Sequence, residues 1–513
     1  MLTLAKNFVY LEVVMAIGWA MYFAVLKRES RTVAAHFPFL VATAFNAAFF
    51  AIPYFPLVHL AVFLIPIVAG RTRKHLLMVM LVGLFCIPAL IVSLNTAGLV
   101  IFSWTMQATL GLGGLVALAS SQRDRMTEPG RWNVPLAAFL VLMIIIAIRG
   151  TSATNWVRQA IAIISAYGIS VVVIGQCLRS AGNRRAFLIT LAGIGSMLAA
   201  VLTYEARVHW PLYTSLYGKF QVQLPGMMVK FRGGSMRAFG PLDEATNAGF
   251  ALVIAFAAAL ACHREFRNGP ARYVVPGVVA IGLLAPQSRG GLIGAAVVLL
   301  CYAFYHYGSA GLAKAVALLT SVGALYFARS RLLGGATADA QNTADYRQQL
   351  FNRGMEEFWK NPIIGDSMDQ VTARMEDMRQ GEGIIDFVNS YLYFGLALGA
   401  VGVLLFCIVL YFPAARLLLE RNRLNRHGPT GTFAGFAFGS LLAAGVMLAF
   451  TSIPQRPIIV TLVVAGAALG LRPPRRAVRN ATTPGTMTPS TPPSERGLAR
   501  SAVADVGPRS TGS

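Results

Sequence analysis

Long apolar runs alternate with short polar segments along most of the 513-residue chain. Each run is close to the roughly 20 residues that an α-helix needs to cross a bilayer. The pattern predicts about fifteen such segments, although the two on either side of Pro53–Pro56 are short and could form one broken element. The predicted segments are 7–26, 36–52, 54–70, 75–94, 98–119, 132–148, 156–178, 184–204, 244–262, 271–287, 290–307, 311–328, 387–412, 432–450 and 456–471.

The composition supports a membrane protein. Hydrophobic residues make up 56% of the chain and charged residues 13%, whereas a soluble domain carries about 25% charged residues. A deficit of charged residues is expected in a membrane protein, because a charge inside hydrocarbon costs at least ~2.5 kcal/mol. The net charge of +23 comes from short clusters without the basic, aromatic-rich pattern of nucleic-acid binding, so the lipid bilayer is the predicted partner and nucleic acid is not. The cysteines lie in or beside apolar segments and predict neither a disulfide framework nor a metal site.

The basic clusters set a predicted orientation. They fall on one side if the segments alternate, and the positive-inside rule makes that side the cytoplasm. The N-terminus and two long polar segments then lie on the periplasmic side. The clusters are Lys27/Arg28/Arg31, Arg71/Arg73/Lys74, Arg123/Arg125/Arg131, Arg179/Arg184/Arg185, Arg264/Arg267/Arg272 and Arg416/Arg421/Arg423/Arg426.

We therefore predict an all-α fold, a polytopic transmembrane helical bundle of about 12–15 spans with two large periplasmic loops. The predicted tail is rich in Pro, Thr, Ser and Gly and cannot bury a core, which indicates disorder. The predicted regions are N-terminal transmembrane helices (1–204), a first periplasmic loop (205–243), transmembrane helices (244–328), a long periplasmic loop expected to be catalytic (329–386), C-terminal transmembrane helices (387–471) and a disordered cytoplasmic tail (472–513).

Cations are concentrated in the periplasmic loops, where the orientation rule does not require them. Arginine forks at a membrane surface suit an anionic, lipid-linked ligand. The alternative is that these cations pair with carboxylates of the same loops, and both interpretations are open for each arginine. The loop carboxylates include Asp345, Glu356, Glu357, Asp377 and Glu382.

Three arginines are candidate ligand contacts. Arg289 lies in the motif Ser288-Arg289-Gly290-Gly291 at the start of an apolar run. It could act as a phosphate clamp or as an interfacial anchor. Arg347 and Arg353 are six residues apart and would not share a helix face, so only one of them should reach a ligand. Arg237 begins a turn-rich stretch.

Carboxylates at the ends of the two predicted periplasmic loops are also candidate site residues. Asp243 and Glu244 lie where a helix should start, which suits simple capping as well as a role at a site. Asp386 and Asn389 are spaced i, i+3 at the mouth of a membrane segment, where a carboxylate could take a proton from a sugar hydroxyl. Capping is the alternative for Asp386, and the two roles can coexist.

Four blocks in order resemble the O-antigen ligase and polymerase family of bacterial membrane glycosyltransferases. They span about Arg207 to Tyr411, and each block alone is weak. The blocks are Arg237…Gly240-Pro241…Ala245, Ser288-Arg289-Gly290, Tyr346-Arg347-Gln348-Gln349-Leu350 followed by Asn361-Pro362-Ile363-Ile364-Gly365, and Val388-Asn389-Ser390-Tyr391-Leu392…Gly399…Gly402…Phe406.

The resemblance implies transfer of a glycan from undecaprenyl diphosphate at the periplasmic face of the bacterial inner membrane. It implies an inverting reaction that needs no metal and no cofactor. Arg289 and Arg347 would then contact the diphosphate, with Arg237 as a weaker third contact. A chain-length regulator or other polysaccharide-assembly proteins are candidate partners.

One departure from the family pattern changes the expected function. Ligases of this family carry His directly before the Asn-x-Tyr-Leu motif, and this chain has Val388 there. Asp386 is the nearest replacement, so Asp386 and Asn389 are the predicted catalytic residues. The departure favours a polymerase of lipid-linked repeat units over a ligase. A flippase is a third alternative, but it should carry charges within its helices, where only Glu12 is clear.

Overall fold

The computed structural model describes 2–34, 36–96, 99–120, 134–149, 152–222, 229–232, 234–332, 338–379, 385, 387–426, 428–453 and 456–472. One compact unit covers Met1–Pro473. The predicted tail beyond 472 and the predicted base Asp386 lie outside the described residues.

Helices account for nearly all regular structure in the described N-terminal half. Two short strands, β1 (Ile91–Thr96) and β2 (Leu99–Thr105), form an antiparallel hairpin. A π-helical turn at Ile164–Gly168 joins two of the helices. The helices are α1 (Leu2–Val25), α2 (Arg28–Ala34), α3 (Phe37–Ala51), α4 (Phe55–Ala69), α5 (Arg73–Cys86), α6 (Met106–Ser120), α7 (Val134–Ile148), α8 (Ala153–Ile163), α9 (Ile169–Cys177), α10 (Ala181–Val208) and α11 (Thr214–Phe220).

The C-terminal half is also helical. A second small hairpin, β3 (Phe231–Arg232) and β4 (Ser235–Met236), precedes it. The helices are α12 (Ala245–Ala261), α13 (Ala271–Gly282), α14 (Arg289–Leu332), α15 (Ala338–Lys360), α16 (Met368–Arg374), α17 (Ser390–Leu419), α18 (Pro429–Leu448) and α19 (Pro457–Gly470).

The described residues contain seven helices long and apolar enough to cross a membrane, and six shorter apolar helices. The prediction of an all-α, polytopic bundle is confirmed, while the predicted number of about 12–15 spans remains a prediction. The chain forms two 15-residue helices on either side of Pro53, and whether they act as two spans or as one broken element remains open. The α14 helix is two arms joined at Gly308, whose φ of 69° only glycine adopts readily. The boundaries predicted for the regions remain predictions.

Two predicted membrane segments were wrong in part. The segments 75–94 and 98–119 were expected to be helical throughout, but their adjoining ends form the β1–β2 hairpin. The run 91–105 is rich in Ile, Val, Leu, Ser and Thr. A short apolar run of this kind cannot be assigned to helix or strand by periodicity alone.

Helix α10 lies at the centre of the bundle, with most of its residues buried. It packs closely because small residues meet at its surface. A Cβ atom added to Gly195 would lie 2.5 Å from Cβ of Ala255 in α12. Small residues at helix crossings let backbones approach, which is the usual source of packing energy between membrane helices.

The long polar loop docks into a break in α17. Gly399 interrupts this helix with φ 64°, and the loop supplies the missing backbone hydrogen bonds. The N–H of Asp366 donates to Leu396 O at 2.9 Å, and the N–H of Ala400 donates to Pro362 O at 2.8 Å. Since an unpaired backbone group at membrane depth is costly, this pairing fixes the loop.

Arg149 also links the loop to the break in α17. Its guanidinium donates to the carbonyl of Ile364 at 2.6 Å and to that of Gly365 at 3.1 Å, and it also donates to the carbonyl of Ala397. One side chain from α7's end therefore ties the loop to the broken helix. The segment Asn361–Gly365 therefore packs directly against Gly399.

Replacing Gly399 by alanine should detach this loop. Its Cβ would lie 2.3 Å from the backbone of Ile363, and its backbone would be strained at positive φ. We expect a loss of at least ~2 kcal/mol of stability, seen as a lower melting temperature in detergent and faster proteolysis of the loop. Gly277→Ala, in a helix with nothing within 4 Å of the added atom, is the control. Equal melting temperatures for the two variants would contradict the docking.

Candidate active site

The segment after β4 is fixed to the end of α10 by a buried carboxylate. Glu205 is fully buried and accepts hydrogen bonds from the N–H of Gly240 and the N–H of Leu212, both at 2.9 Å. The N–H of Ala238 donates to Ala285 O at 3.2 Å. The 237–243 turn is therefore held against the segment that leads into α14.

Two arginines of this region bind the same segment through its carbonyls. Arg232 donates to Gln287 O at 3.0 Å, and Arg237 donates to Pro286 O at 3.3 Å. Arg289 begins α14 two residues later. Backbone anchoring therefore brings three arginines from two parts of the chain together.

Arg347 of α15 completes the group. Arg232, Arg237, Arg289 and Arg347 line one small cavity of about 30 Å³. An adjoining cavity of about 140 Å³ shares Arg237 and Arg347. We call the two together the arginine cleft. The larger cavity is also lined by Lys230, Phe239, Asp243, Glu244, Ala245, Thr246, Val388, Thr451 and Ser452.

The cations of the cleft repel one another. Burial, followed by the charges of Arg232 and Arg347, lowers the pKa of Arg237 to about 10, although Glu244 opposes them. Burial, Arg289 and Arg347 also lower the pKa of Arg232. Because clustered like charges disfavour the charged state, the cleft is electrostatically suited to an anion that relieves this repulsion.

Two carboxylates line the cleft beside the cations. Asp243 adopts the left-handed backbone at φ 63° and accepts a hydrogen bond from Asn247 at 3.2 Å. Burial raises the pKa of Asp243 to about 6, and the opposing effect of Arg456 is smaller. Glu244 accepts from Thr246 at 2.9 Å. Glu244 is the N-cap residue of α12 but makes no side-chain cap bond, so it does not act as the expected helix cap.

The structure brings together the three predicted diphosphate contacts, Arg237, Arg289 and Arg347. Arg353 lies elsewhere, 2.9 Å from Glu356 and 3.7 Å from Asp377. Only one of the two α15 arginines therefore reaches the cleft. Pairing with loop carboxylates is the correct interpretation for Arg353, and also for Arg374 and Arg379.

Asn389 has a structural role in the described residues. Its Oδ1 accepts from the N–H of Tyr391 at 3.0 Å and the N–H of Leu392 at 3.2 Å, which caps α17. Asn389 is thus the N-cap of α17, and Asp386, for which capping was the alternative, lies outside the described residues. The catalytic roles of Asp386 and Asn389 remain predictions. Val388, which replaces the family histidine, lines the cleft.

Sequence reasoning did not single out Arg232, Lys230, Thr451 or Ser452 as site residues. The excess of loop cations was the available signal for Arg232 and Lys230. Thr451 and Ser452 follow α18, and no sequence motif marks them.

Residues 275–407 match the family model described as O-antigen ligase. The chain carries an O-antigen ligase domain. The match includes Arg289, Arg347, Val388 and Asn389, and it confirms the resemblance over these residues. A search of the curated proteins found no match.

The O-antigen ligase domain supports glycosyl transfer of the O-antigen ligase or polymerase type in general. A lipid-linked saccharide is the substrate class that this family implies. With the apolar helices, the domain indicates a multi-pass membrane protein. Arg237 and the β3–β4 hairpin precede the matched residues, so the cleft combines the O-antigen ligase domain with a segment outside it.

Proposed function

We propose that the chain is a polymerase of undecaprenyl-diphosphate-linked oligosaccharide repeat units, acting in exopolysaccharide or O-antigen assembly. The reaction would take place at the periplasmic face of the bacterial inner membrane. The observation that carries the proposal is the convergence of Arg232, Arg237, Arg289 and Arg347 on one cleft.

The arginines would serve the leaving group. When an acceptor hydroxyl attacks the anomeric carbon, the bond from that carbon to the diphosphate oxygen breaks and negative charge grows on the diphosphate. Guanidinium groups that already face this position stabilise the charge without reorganisation. Because several arginines neutralise the diphosphate, the transfer would not require a metal.

A carboxylate would take the proton of the attacking hydroxyl. Asp386 was predicted for this role, and the described cleft offers two carboxylates, Asp243 and Glu244. The pKa of Asp243, about 6, suits a general base near neutral pH, because such a group is mostly ionised yet still basic. Its left-handed backbone is a strained conformation of the kind found at functional sites. We propose Asp243 as the base, with Asp386 as the alternative.

A ligase that delivers glycan to lipid or protein is the second candidate. Val388 in place of the family histidine favours the polymerase. A flippase is the third candidate and has less support. Glu12, the clearest charge within a helix, already accepts hydrogen bonds from Thr43 at 2.6 Å and Asn46 at 2.8 Å.

Deleting the gene and sizing the polysaccharide would separate the three functions. For a polymerase we expect single repeats to accumulate on the lipid carrier at the outer face. Full-length chains stranded on the carrier would instead indicate a ligase, and absence of any outer-face intermediate would indicate a flippase. Complementation with the wild-type chain should restore long polymers, while an Arg289→Ala chain should not.

A further inference from the structure

A second cavity lies between the two arms of α14. It has a volume of about 790 Å³, larger than the arginine cleft. Its walls come from the end of α12, the start of α13, both arms of α14 and the connection between α17 and α18. We call it the wedge cavity, defined by Arg272, Tyr273, Leu299, Tyr307, Lys314 and Arg426.

The wedge cavity is at the opposite end of the bundle from the arginine cleft. The first arm of α14 begins with Arg289 in the cleft and ends beside Tyr307 at the wedge cavity. At ~1.5 Å per residue this arm is roughly 28 Å long, close to the thickness of the hydrocarbon core. The chain then turns at Gly308. If the cleft is periplasmic, the wedge cavity faces the cytoplasmic leaflet.

The charged residues among those that line the wedge cavity are all cations: Arg272, Lys314 and Arg426. Lys314 and Arg426 are exposed. Arg272 donates to Asn268 at 2.7 Å, but its Nε is buried and has no hydrogen-bond partner among the described residues. A buried donor of this kind is costly unless an acceptor fills the space beside it.

Apolar side chains form the rest of the wall. Leu260, Pro276, Leu299 and Leu318 line the same cavity as the three cations. Tyr273 is exposed, as expected for aromatic side chains at the level of lipid headgroups. A cavity lined by both cations and apolar side chains complements an amphiphile with an anionic head.

We propose that the wedge cavity binds an acidic phospholipid of the cytoplasmic leaflet. Its phosphate would lie among Arg272, Lys314 and Arg426, and an acyl chain would follow Leu299 and Leu318. Basic pockets between membrane helices on the cytoplasmic side bind anionic headgroups in this way. A free phosphate ion would leave the apolar wall exposed, so the lipid is the favoured source of the phosphate.

Native mass spectrometry of the purified full chain in detergent would test this site. Phosphatidylglycerol should bind at least ten times more tightly than phosphatidylcholine. The variant Arg272→Ala/Lys314→Ala/Arg426→Ala should lose this preference. The control variant Arg28→Ala/Arg71→Ala/Arg423→Ala, which removes three exposed cations outside the wedge cavity, should keep phosphatidylglycerol affinity within twofold of the wild type.

A second variant covers the case in which the triple substitution prevents folding. Ala310 is exposed and lines the wedge cavity, so Ala310→Trp fills the apolar part without removing charge. It should reduce bound phosphatidylglycerol at least fivefold. Equal binding of the two phospholipids would overturn the proposal. So would displacement by millimolar inorganic phosphate, or tighter binding of undecaprenyl phosphate.

Discussion

Replacing Arg289 or Arg347 by alanine should lower the rate of glycan transfer by about a hundredfold or more. Both guanidiniums line the same cavity, where they would stabilise charge as the diphosphate leaves. Removing one preorganised donor of this type typically costs about 10²–10³ in rate. The measurement is the initial rate of polymer formation from lipid-linked repeats in membranes that contain equal amounts of each variant.

Matched substitutions separate the cleft from a general effect of charge. Arg379→Ala removes an exposed arginine of the same loop, 3.8 Å from Glu376, and should leave the rate within about twofold, because exposed ion pairs contribute little. Arg289→Lys and Arg347→Lys should retain part of the rate, since lysine keeps the charge and loses the fork. Full activity in both alanine variants would refute the assignment of the cleft.

Substituting Asp243 by asparagine should remove most of the activity. It should also abolish the fall in activity at low pH, which is the acid limb of the pH profile. A general base must be ionised, and the pKa of Asp243 is about 6. In the wild type, kcat/KM should therefore fall tenfold per pH unit below about pH 6 and be level above it. In the variant, the remaining rate, about 10²–10⁴ lower, should no longer follow this limb.

Stability distinguishes a base from a structural carboxylate. Because burial raises the pKa of Asp243, ionisation costs folded-state stability, and this cost grows as pH rises from the unfolded-state pKa to about 6. Asp243→Asn should therefore melt no lower than the wild type at pH 7, while transfer is lost. Asp386→Asn tests the alternative. If Asp386→Asn is inactive and Asp243→Asn keeps the wild-type pH profile, Asp386 is the base.

The arginine cleft and the docked loop depend on each other through α15. Arg347 and Leu350 belong to this helix, and Leu350 packs with Val371, Met375 and Leu392 in a separate small core. The helix ends just before the segment that fills the break in α17. The Gly399→Ala variant should therefore weaken transfer as well as stability, because Arg347 loses its support.

The sequence by itself determined the membrane bundle, since apolar runs of helical length and basic clusters between them are local properties. It also determined which arginines were candidates. Helical spacing predicted that only one of Arg347 and Arg353 would reach a ligand, the family resemblance of the Tyr346-Arg347 block selected Arg347, and the structure places Arg347 in the cleft. The match over 275–407 agrees with motifs that could be seen in the chain.

Only the tertiary structure decided which groups meet. Arg232 and Arg237 reach Arg289 because they donate to the carbonyls of Gln287 and Pro286. The hydrophobic pattern of the sequence does not predict hydrogen bonds of this kind. Asn389 became a helix cap because the first N–H groups of α17 needed an acceptor. The position of Asp243 beside the arginines depends on a turn held by Glu205. Long-range hydrogen bonds and burial set these positions, and both depend on neighbours that are distant in the chain.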